Sequence, residues 1–141
     1  REGCSKLYIG NRDPRRLEEL LRLIDSPKVE GFALNSPPRA LHDCESPLVI
    51  NATSLGLRAD DPSPCDLTGF PPEAAVYDMT YGVDNALARQ ARDLGLAYAD
   101  CLAMLVWQGV RSLEIWSGVA VPAQPMMSAA CHAKGFTARK V

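Results

Sequence analysis

The sequence predicts an α/β fold with a doubly wound, mostly parallel sheet. Short apolar runs alternate with stretches of helical periodicity at the spacing of strand–helix units. The apolar run at residues 48–50 ends at once in small polar residues, as strands do where an open sheet presents a ligand site at its carboxyl edge. With 141 residues, of which 47% are hydrophobic and 23% charged, the chain suits a single domain.

Five strands and four helices are predicted along the chain. The strands lie at residues 6–10, 29–34, 48–50, 75–79 and 96–99. The helices lie at residues 14–24, 84–94, 100–116 and 122–134, and a single helical turn is expected after Pro38. Connections of this kind between parallel strands are right-handed crossovers.

Capping residues and an apolar stripe support the helix boundaries. Asp13 is an N-cap residue in front of Pro14, and proline is favoured at the first helical position. Apolar residues then recur on one face of that helix at Leu17, Leu20, Leu21 and Ile24. We expect Asp84 to cap the second helix and Gly95 to end it.

Composition limits the expected partners and environment. The net charge is −2 and the basic residues are dispersed, which argues against a nucleic-acid or anionic-membrane surface. No apolar run approaches the roughly 18 residues of a membrane helix, and residues 1–4 do not resemble a signal peptide. The five cysteines lie far apart and there are two histidines, so we expect reduced thiols, no metal site and a cytoplasmic location.

The first candidate site follows the first strand. Asn11, Arg12 and Asp13 lie at its carboxyl end, and Arg16 lies in the first helical turn, where backbone N–H groups favour an anion. In a dinucleotide-binding fold, an acidic residue here binds the free 2′-hydroxyl of NAD, whereas an arginine accommodates the 2′-phosphate of NADP. An arginine can also stack on adenine. The alternative is a capped surface helix with solvated arginines.

The second candidate is the third helix. Its sheet-facing side is predicted to comprise Leu102, Leu105, Val106, Gly109, Leu113 and Trp116. Cys101, Met104 and Gln108 line up on roughly the opposite side, where a thioether and an amide would suit a flat ring and a hydroxylated ligand. Alternatively, Met104 packs under a neighbouring domain and Gln108 faces water.

The third candidate comprises two strand ends. Asn51, Ala52 and Thr53 follow the third strand. Asp78, Met79, Thr80 and Tyr81 lie at the end of the fourth, where the tyrosine hydroxyl can donate to a ligand carboxylate or hydroxyl. The alternative is an ordinary turn and an aromatic ring that covers a core edge. The sequence contains no glycine-rich phosphate loop, nucleophile elbow or paired-histidine motif, and no residue stands out as a general base.

Four motifs combine these candidates in one order. They read IGNRDPRR at residues 9–16, INATSLGL at 50–57, VYDMTY at 76–81 and ADCLAMLVWQ at 99–108, with IWSG following at 115–118. This series resembles the C-terminal cofactor domain of the shikimate dehydrogenase family, which includes shikimate and quinate dehydrogenases. The resemblance implies a Rossmann-like sheet and an enzyme that reduces 3-dehydroshikimate to shikimate with NADPH, a step of aromatic amino-acid biosynthesis.

The resemblance also implies roles for individual residues. Contacts with the cofactor, NADP, are implied for Asn11, Arg12, Asp13, Arg16, Asn51, Ala52, Thr53, Met79, Cys101 and Met104. Arg12 and Arg16 would hold the adenosine and its 2′-phosphate, and Met104 would lie against the nicotinamide. Tyr81 and Gln108 would reach the substrate, which is 3-dehydroshikimate, shikimate or quinate.

The chain departs from the family pattern in places. Asp13 replaces a threonine that helps to bind the phosphate, so NAD is also possible as the cofactor. Cys101 replaces a glycine, and the family's Thr-Pro pair after the second tyrosine is absent. These differences leave two alternatives: a quinate/shikimate dehydrogenase that prefers NAD, and a non-catalytic module that binds a nucleotide or a protein.

Several parts of the family pattern have no counterpart in this sequence. They are the first strand, the glycine-rich loop and the N-terminal domain with its proton-transferring lysine and aspartate, so no catalytic residue is predicted here and the chain alone is expected to be inactive. We expect upstream sequence to fill a gap between the strands at 6–10 and 47–51. Residues 1–118 are predicted to form a partial dinucleotide-binding domain and 119–141 a C-terminal helix and tail. The expected partners are the small-molecule substrate and the missing N-terminal domain.

Overall fold

A computed structural model describes residues 5–34 and 36–133. The strands are β1 (Leu7–Asn11), β2 (Val29–Ala33), β3 (Leu48–Asn51), β4 (Ala75–Asp78) and β5 (Ala97–Asp100). The helices are α1 (Pro14–Ile24), α2 (Ala86–Asp93), α3 (Leu102–Ser117) and α4 (Ala123–Ala133), and a 3-10 turn spans Arg39–Leu41. Every predicted element is present, shifted by no more than two residues at either end. Residues 1–4, the expected helix end at residue 134 and the tail beyond it lie outside the described residues.

The strands form two parallel sheets. β1 pairs with β2, with Leu7 opposite Val29. The second sheet has the order β3-β4-β5, with Leu48 opposite Ala75 and Ala75 opposite Ala97. The predicted α/β class with parallel strands is confirmed. Within the described residues β1 and β3 belong to different sheets, so the predicted gap between them is also confirmed and the sheet is incomplete.

Helix α1 packs on the β1–β2 sheet and begins as predicted. Oδ1 of Asp13 accepts hydrogen bonds from the backbone N–H groups of Arg15, at 2.9 Å, and Arg16, at 3.4 Å. Gly31 of β2 lies directly beneath the helix, since a β-carbon there would stand 2.6 Å from Cδ1 of Leu21. A larger residue at this position would therefore force the Leu21 side chain, and with it the packing of α1 on β2, to shift.

The main core lies on one face of the β3–β4–β5 sheet. Its buried residues are Leu67, Ala74, Val76, Leu87, Ala91 and Leu96. Val76 occupies the central strand, and its neighbours in register, Val49 and Tyr98, pack against the same cluster. Because side chains alternate across a sheet, Leu48 and Ile50 project from the opposite face, where they remain 61% and 54% exposed. A shallow hollow of about 200 Å³ lies on this apolar face.

The predicted cap of α2 is wrong by one residue. Asn85, not Asp84, caps the helix, because its Oδ1 accepts the Ala88 N–H at 2.9 Å. Asp84 instead forms an ion pair with Arg92, at 2.6 Å, and its carbonyl accepts a hydrogen bond from Arg89. Both residues are good caps on sequence grounds, but only Asn85 also donates to the buried Asp78 carboxylate, at 2.8 Å.

The predicted sheet-facing side of α3 is only partly correct. Val106 is buried as predicted, and Val110 is buried as well, but Leu105 and Leu113 remain about 40% exposed and Trp116 is 79% exposed. The helix is apolar on several sides, so periodicity alone did not identify the buried one. Helix α4 packs against α3 close to Gly109. None of the described helices has the length and apolar character needed to cross a membrane.

Candidate functional site

The ends of β3, β4 and β5 bring a row of polar residues together. Parallel pairing places Asn51 opposite Asp78 and Asp78 opposite Asp100, so the last residues of the three strands are direct neighbours. We call the residues at these ends, 51–53, 78–81 and 100–101, the carboxyl edge. Ligand sites of open α/β sheets lie at this kind of edge.

Asp78 is the centre of the carboxyl edge. Its side chain is fully buried and accepts five hydrogen bonds. Oδ1 accepts from Nδ2 of Asn51, the backbone N–H of Thr80 and the Thr80 hydroxyl, each at 2.9 Å. Oδ2 accepts from Nδ2 of Asn85 at 2.8 Å and from the Tyr98 hydroxyl at 3.1 Å. Asp78 takes part in none of the ion pairs between described residues, so hydrogen bonds alone compensate for the burial of its charge.

Tyr98 keeps its proton as part of this network. Burial, and then the negative charge of Asp78, raise the pKa of the Tyr98 hydroxyl well above its usual value near 10. The hydroxyl is therefore a hydrogen-bond donor at neutral pH, which is what an acceptor-only carboxylate requires.

The turn after β3 is built around the side chain of Asn51. Its Nδ2 donates to the carbonyl of Leu55 at 2.9 Å as well as to Asp78. Its Oδ1 accepts from the Thr53 backbone at 3.0 Å and from the Thr53 hydroxyl at 2.8 Å. Asn51 is buried, Thr53 is half-buried and Ala52 is exposed. The shape of the turn is therefore fixed by hydrogen bonds to the buried Asn51 side chain.

Met79 connects the ends of all three strands. Its backbone N–H donates to the carbonyl of Asn51 at 3.0 Å, and its carbonyl accepts from the Cys101 thiol at 2.8 Å. Cys101 is buried, whereas the side chains of Met79 and Tyr81 are 44% and 43% exposed. The predicted contact residues of this region therefore lie together, and of their side chains those of Met79 and Tyr81 are exposed.

Helix α3 leads from the carboxyl edge toward solvent. From buried Cys101, the predicted row passes through half-buried Met104 to exposed Gln108. The side chain of Gln108 makes no hydrogen bond with the described residues; only its carbonyl is used, by the Ser112 hydroxyl. An exposed amide in this position is available to a ligand.

The other predicted contact residues lie at the end of β1, residues 11–16, which we call the β1 end. Oδ1 of Asn11 accepts the Asp13 N–H at 3.0 Å, which holds the Asp13 carboxylate over the start of α1. Nε of Arg16 lies 3.7 Å from Oδ2 of Asp13, and Arg12 is exposed and forms no ion pair with a described residue. The β1 end belongs to the smaller sheet, so the structure divides the predicted residues between two groups.

Sequence reasoning missed the hydrogen-bond network beneath the carboxyl edge. It placed Asp78 and Thr80 at a strand end but assigned them no role, and it overlooked Asn85 and Tyr98. An aspartate as the last residue of a buried strand is the signal that could have identified the network, because a buried carboxylate requires donors. Among the described residues there is no cluster of three or more His, Cys, Asp or Glu that could hold a metal ion.

The parallel strands, their βα connections and the polar carboxyl edge define a Rossmann-like α/β domain. Comparison with known proteins gives the family. The sequence profile of the shikimate 5′-dehydrogenase C-terminal domain matches residues 102–131. The NADP(+) shikimate dehydrogenase of Rhodospirillum rubrum is 36% identical over 94% of this chain and 47% of its own length. That of Rubrobacter xylanophilus is 40% identical over 84% of this chain and 43% of its own length.

A solved structure supports the same assignment. The fold is similar, with a TM-score of 0.71 and 28% identity, to the shikimate 5-dehydrogenase of Thermus thermophilus in complex with NADP(H) and shikimate, covering 93% of this chain and 47% of that one. The chain belongs to the shikimate dehydrogenase family, in the region of its C-terminal domain. It spans about half the length of the curated relatives it matches.

Proposed function

We propose that this chain is the cofactor-binding part of an NADP-dependent oxidoreductase that reduces 3-dehydroshikimate to shikimate in aromatic amino-acid biosynthesis. The observation that carries the proposal is its 36% and 40% identity to two NADP(+) shikimate dehydrogenases over most of its length. NADPH, when bound, supplies the hydride for the substrate carbonyl. The roles of this chain's own residues are to bind and orient the two ligands.

The β1 end fits the adenosine half of NADP. Arg12 is an exposed cation without an ion pair to a described residue, and Arg16 lies in the first turn of α1. Both suit a 2′-phosphate, since one guanidinium group can donate two parallel hydrogen bonds to a phosphate. Asp13 caps the helix and partly neutralises Arg16, so the proposal gives Arg12 the larger share of phosphate binding. Asn11 supports this arrangement by holding Asp13 in place.

The carboxyl edge fits the nicotinamide half. The backbone of residues 51–53 would lie along the ribose, and the Met79 and Met104 side chains would contact the ring, where a thioether packs well. Cys101 would act through its backbone, because its thiol is occupied by the Met79 carbonyl. Tyr81 and Gln108 are exposed side chains with polar ends, and we assign them to the substrate.

Proton transfer is assigned to another part of the protein. Hydride addition to a carbonyl creates an alkoxide that needs a proton from a positioned acid, and no described residue at the carboxyl edge has that role. We propose that this chain alone is inactive and that an N-terminal domain supplies the acid and base. The separate edges of β1 and β3, and the exposed Leu48 and Ile50, support a native protein in which a further strand and domain cover these surfaces.

The chain divides into two parts, and the protein is assigned to one cellular compartment. We assign residues 1–118 to the dinucleotide-binding domain and residues 119–141 to a C-terminal helix and tail. A cytoplasmic location is the expected one for this pathway and for free thiols, such as those of Cys44, Cys65, Cys101 and Cys131.

Activity of the full-length protein tests the function. Incubation with shikimate and NADP should produce NADPH, which is detected by its absorbance. The rate should depend on the concentrations of both shikimate and NADP. The Gln108→Ala variant should raise KM for shikimate several-fold more than KM for NADP, because the amide would contact only the substrate. Gln124→Ala, an exposed glutamine on α4, is the control and should leave both unchanged. An intact protein that oxidises neither shikimate nor quinate would contradict the proposal.

A second candidate is a quinate/shikimate dehydrogenase that prefers NAD. One observation favours it: the Asp13 carboxylate occupies the first N–H groups of α1, where a 2′-phosphate would otherwise be attracted. The Asp13→Thr variant keeps a capping oxygen and removes the charge. For an NADP enzyme this change should raise NADP affinity a few-fold. For an NAD enzyme it should instead lower NAD affinity, because the carboxylate would hold the ribose.

A further inference from the structure

We infer that Asp78 is a positioning residue for the nicotinamide half of the cofactor site, and this inference rests on the function proposed above. The side chain is 0% exposed, so it touches neither cofactor nor substrate itself. It acts through Asn51, which forms the turn after β3, and through Thr80, which follows Met79. One buried carboxylate thus holds the ends of β3 and β4 in position, and these ends would bind the nicotinamide ring and its ribose.

The two oxygens of Asp78 serve different parts of the molecule. Oδ1 accepts three hydrogen bonds, all from Asn51 and Thr80 at the carboxyl edge. Oδ2 accepts from Asn85, which caps α2, and from Tyr98, which lies in the middle of β5. Oδ1 therefore faces the proposed site, and Oδ2 faces the scaffold behind it.

The carboxylate also decides which way the Asn51 amide points. An ionised carboxyl group only accepts hydrogen bonds, so the NH₂ group of Asn51 must face Asp78 and its oxygen must face Thr53. In this orientation the oxygen receives both the N–H and the hydroxyl of Thr53. Reversal would set oxygen against oxygen at Asp78 and the backbone N–H of Thr53 against an NH₂ group. The shape of the 51–53 turn thus depends on the charge beneath it.

An asparagine at position 78 cannot accept all of the hydrogen bonds of this network, whichever way its amide is oriented. An NH₂ group in place of Oδ1 would face the NH₂ group of Asn51 and the backbone N–H of Thr80, neither of which can accept a hydrogen bond. In place of Oδ2 it would face Nδ2 of Asn85, and that amide cannot reverse without releasing the Ala88 N–H at the start of α2. Either arrangement leaves buried donors without acceptors, which is costly.

A matched pair of variants separates the two sides of the carboxylate. Thr80→Val removes one hydroxyl donor from Oδ1, and with it the oxygen that accepts an N–H of Asn85 at 3.1 Å. Tyr98→Phe removes one hydroxyl donor from Oδ2. Both are made in the full-length protein, together with Asp78→Asn. The dissociation constant for NADP is measured by calorimetry, and hydrogen exchange is measured at the amides of Thr53 and Leu55, which bond within the turn.

Edge-side and scaffold-side changes should differ in their effect on binding. We expect Asp78→Asn to weaken NADP binding at least about tenfold and to speed amide exchange in the turn. Thr80→Val should weaken binding about threefold or more, whereas Tyr98→Phe should change it by less than about twofold. Should Asp78→Asn fail to fold, the two hydroxyl variants still give the comparison.

Two results would overturn the inference while leaving the proposed function intact. One is NADP binding by Asp78→Asn and Thr80→Val as tight as in the unmutated protein. The other is equal weakening by Thr80→Val and Tyr98→Phe, which would mean that Asp78 contributes only general stability. Failure of the proposed function is recognised separately, because then the unmutated protein itself binds no dinucleotide, and the positioning role fails with it.

Discussion

The β1 end and the carboxyl edge, the two halves of the proposed cofactor site, use polar groups in opposite ways. At the β1 end the charged side chains of Arg12 and Arg16 are exposed, and the Asp13–Arg16 pair is a surface ion pair of the kind worth less than about 1 kcal/mol. At the carboxyl edge the side chains of Asn51, Asp78 and Thr80 are buried, and each lost partner costs about 1–3 kcal/mol. Changes to the exposed arginines of the β1 end should therefore alter ligand preference alone, whereas changes to the buried residues of the carboxyl edge should alter stability as well.

The largest expected effect is on stability, in the network beneath the carboxyl edge. Asn85→Ala removes the cap of α2 and one donor to Asp78. We expect it to lower the free energy of unfolding by about 2–4 kcal/mol, measured by urea denaturation. Asp84→Ala is the matched control, because it loses only an exposed pair with Arg92 and should cost less than about 1 kcal/mol. Equal decreases in the free energy of unfolding for the two variants would contradict the expected difference between buried and exposed polar groups.

A smaller effect, confined to binding, is expected at the β1 end. Arg12→Ala should weaken NADP binding about tenfold through the loss of a charged phosphate contact, while NAD binding stays nearly constant. Stability should change by no more than about 0.5 kcal/mol, since the side chain is exposed. Arg22→Ala, which removes another exposed arginine of α1 that pairs with Glu18, is the control and should bind NADP normally. Weakened binding of NAD and NADP alike by Arg12→Ala would contradict a 2′-phosphate contact.

The smallest effect is a difference in pH dependence. The pKa of Tyr98 is raised in the folded protein, so above pH 10 the unfolded chain releases this proton before the folded one does. The folded state then holds more protons than the unfolded state, and stability falls as the pH rises through that range. Tyr98→Phe should lack this part of the decline, which urea denaturation between pH 8 and about 11 would measure. Parallel declines in both proteins would show that Tyr98 does not stay protonated.

Sequence signals identified the elements of the fold but not the network that joins them. Apolar runs located the five strands, and Asp13 before Pro14 located the start of α1, because both signals are local in the chain. The partners of Asp78 are 27 positions away at Asn51 and 20 positions away at Tyr98, and only strand register brings them together. The buried side of α3 was also beyond local patterns, since a helix that is apolar on several sides can pack in more than one way.

Direct titration of the unmutated full-length protein with NADP and with NAD tests the central claim, that this chain forms an NADP-binding site from the β1 end and the carboxyl edge. Calorimetry should show saturable binding of one NADP per chain, tighter than binding of NAD, because the exposed arginines at the β1 end can pair with the 2′-phosphate. Equal or tighter binding of NAD, or no binding of either dinucleotide, would contradict the claim.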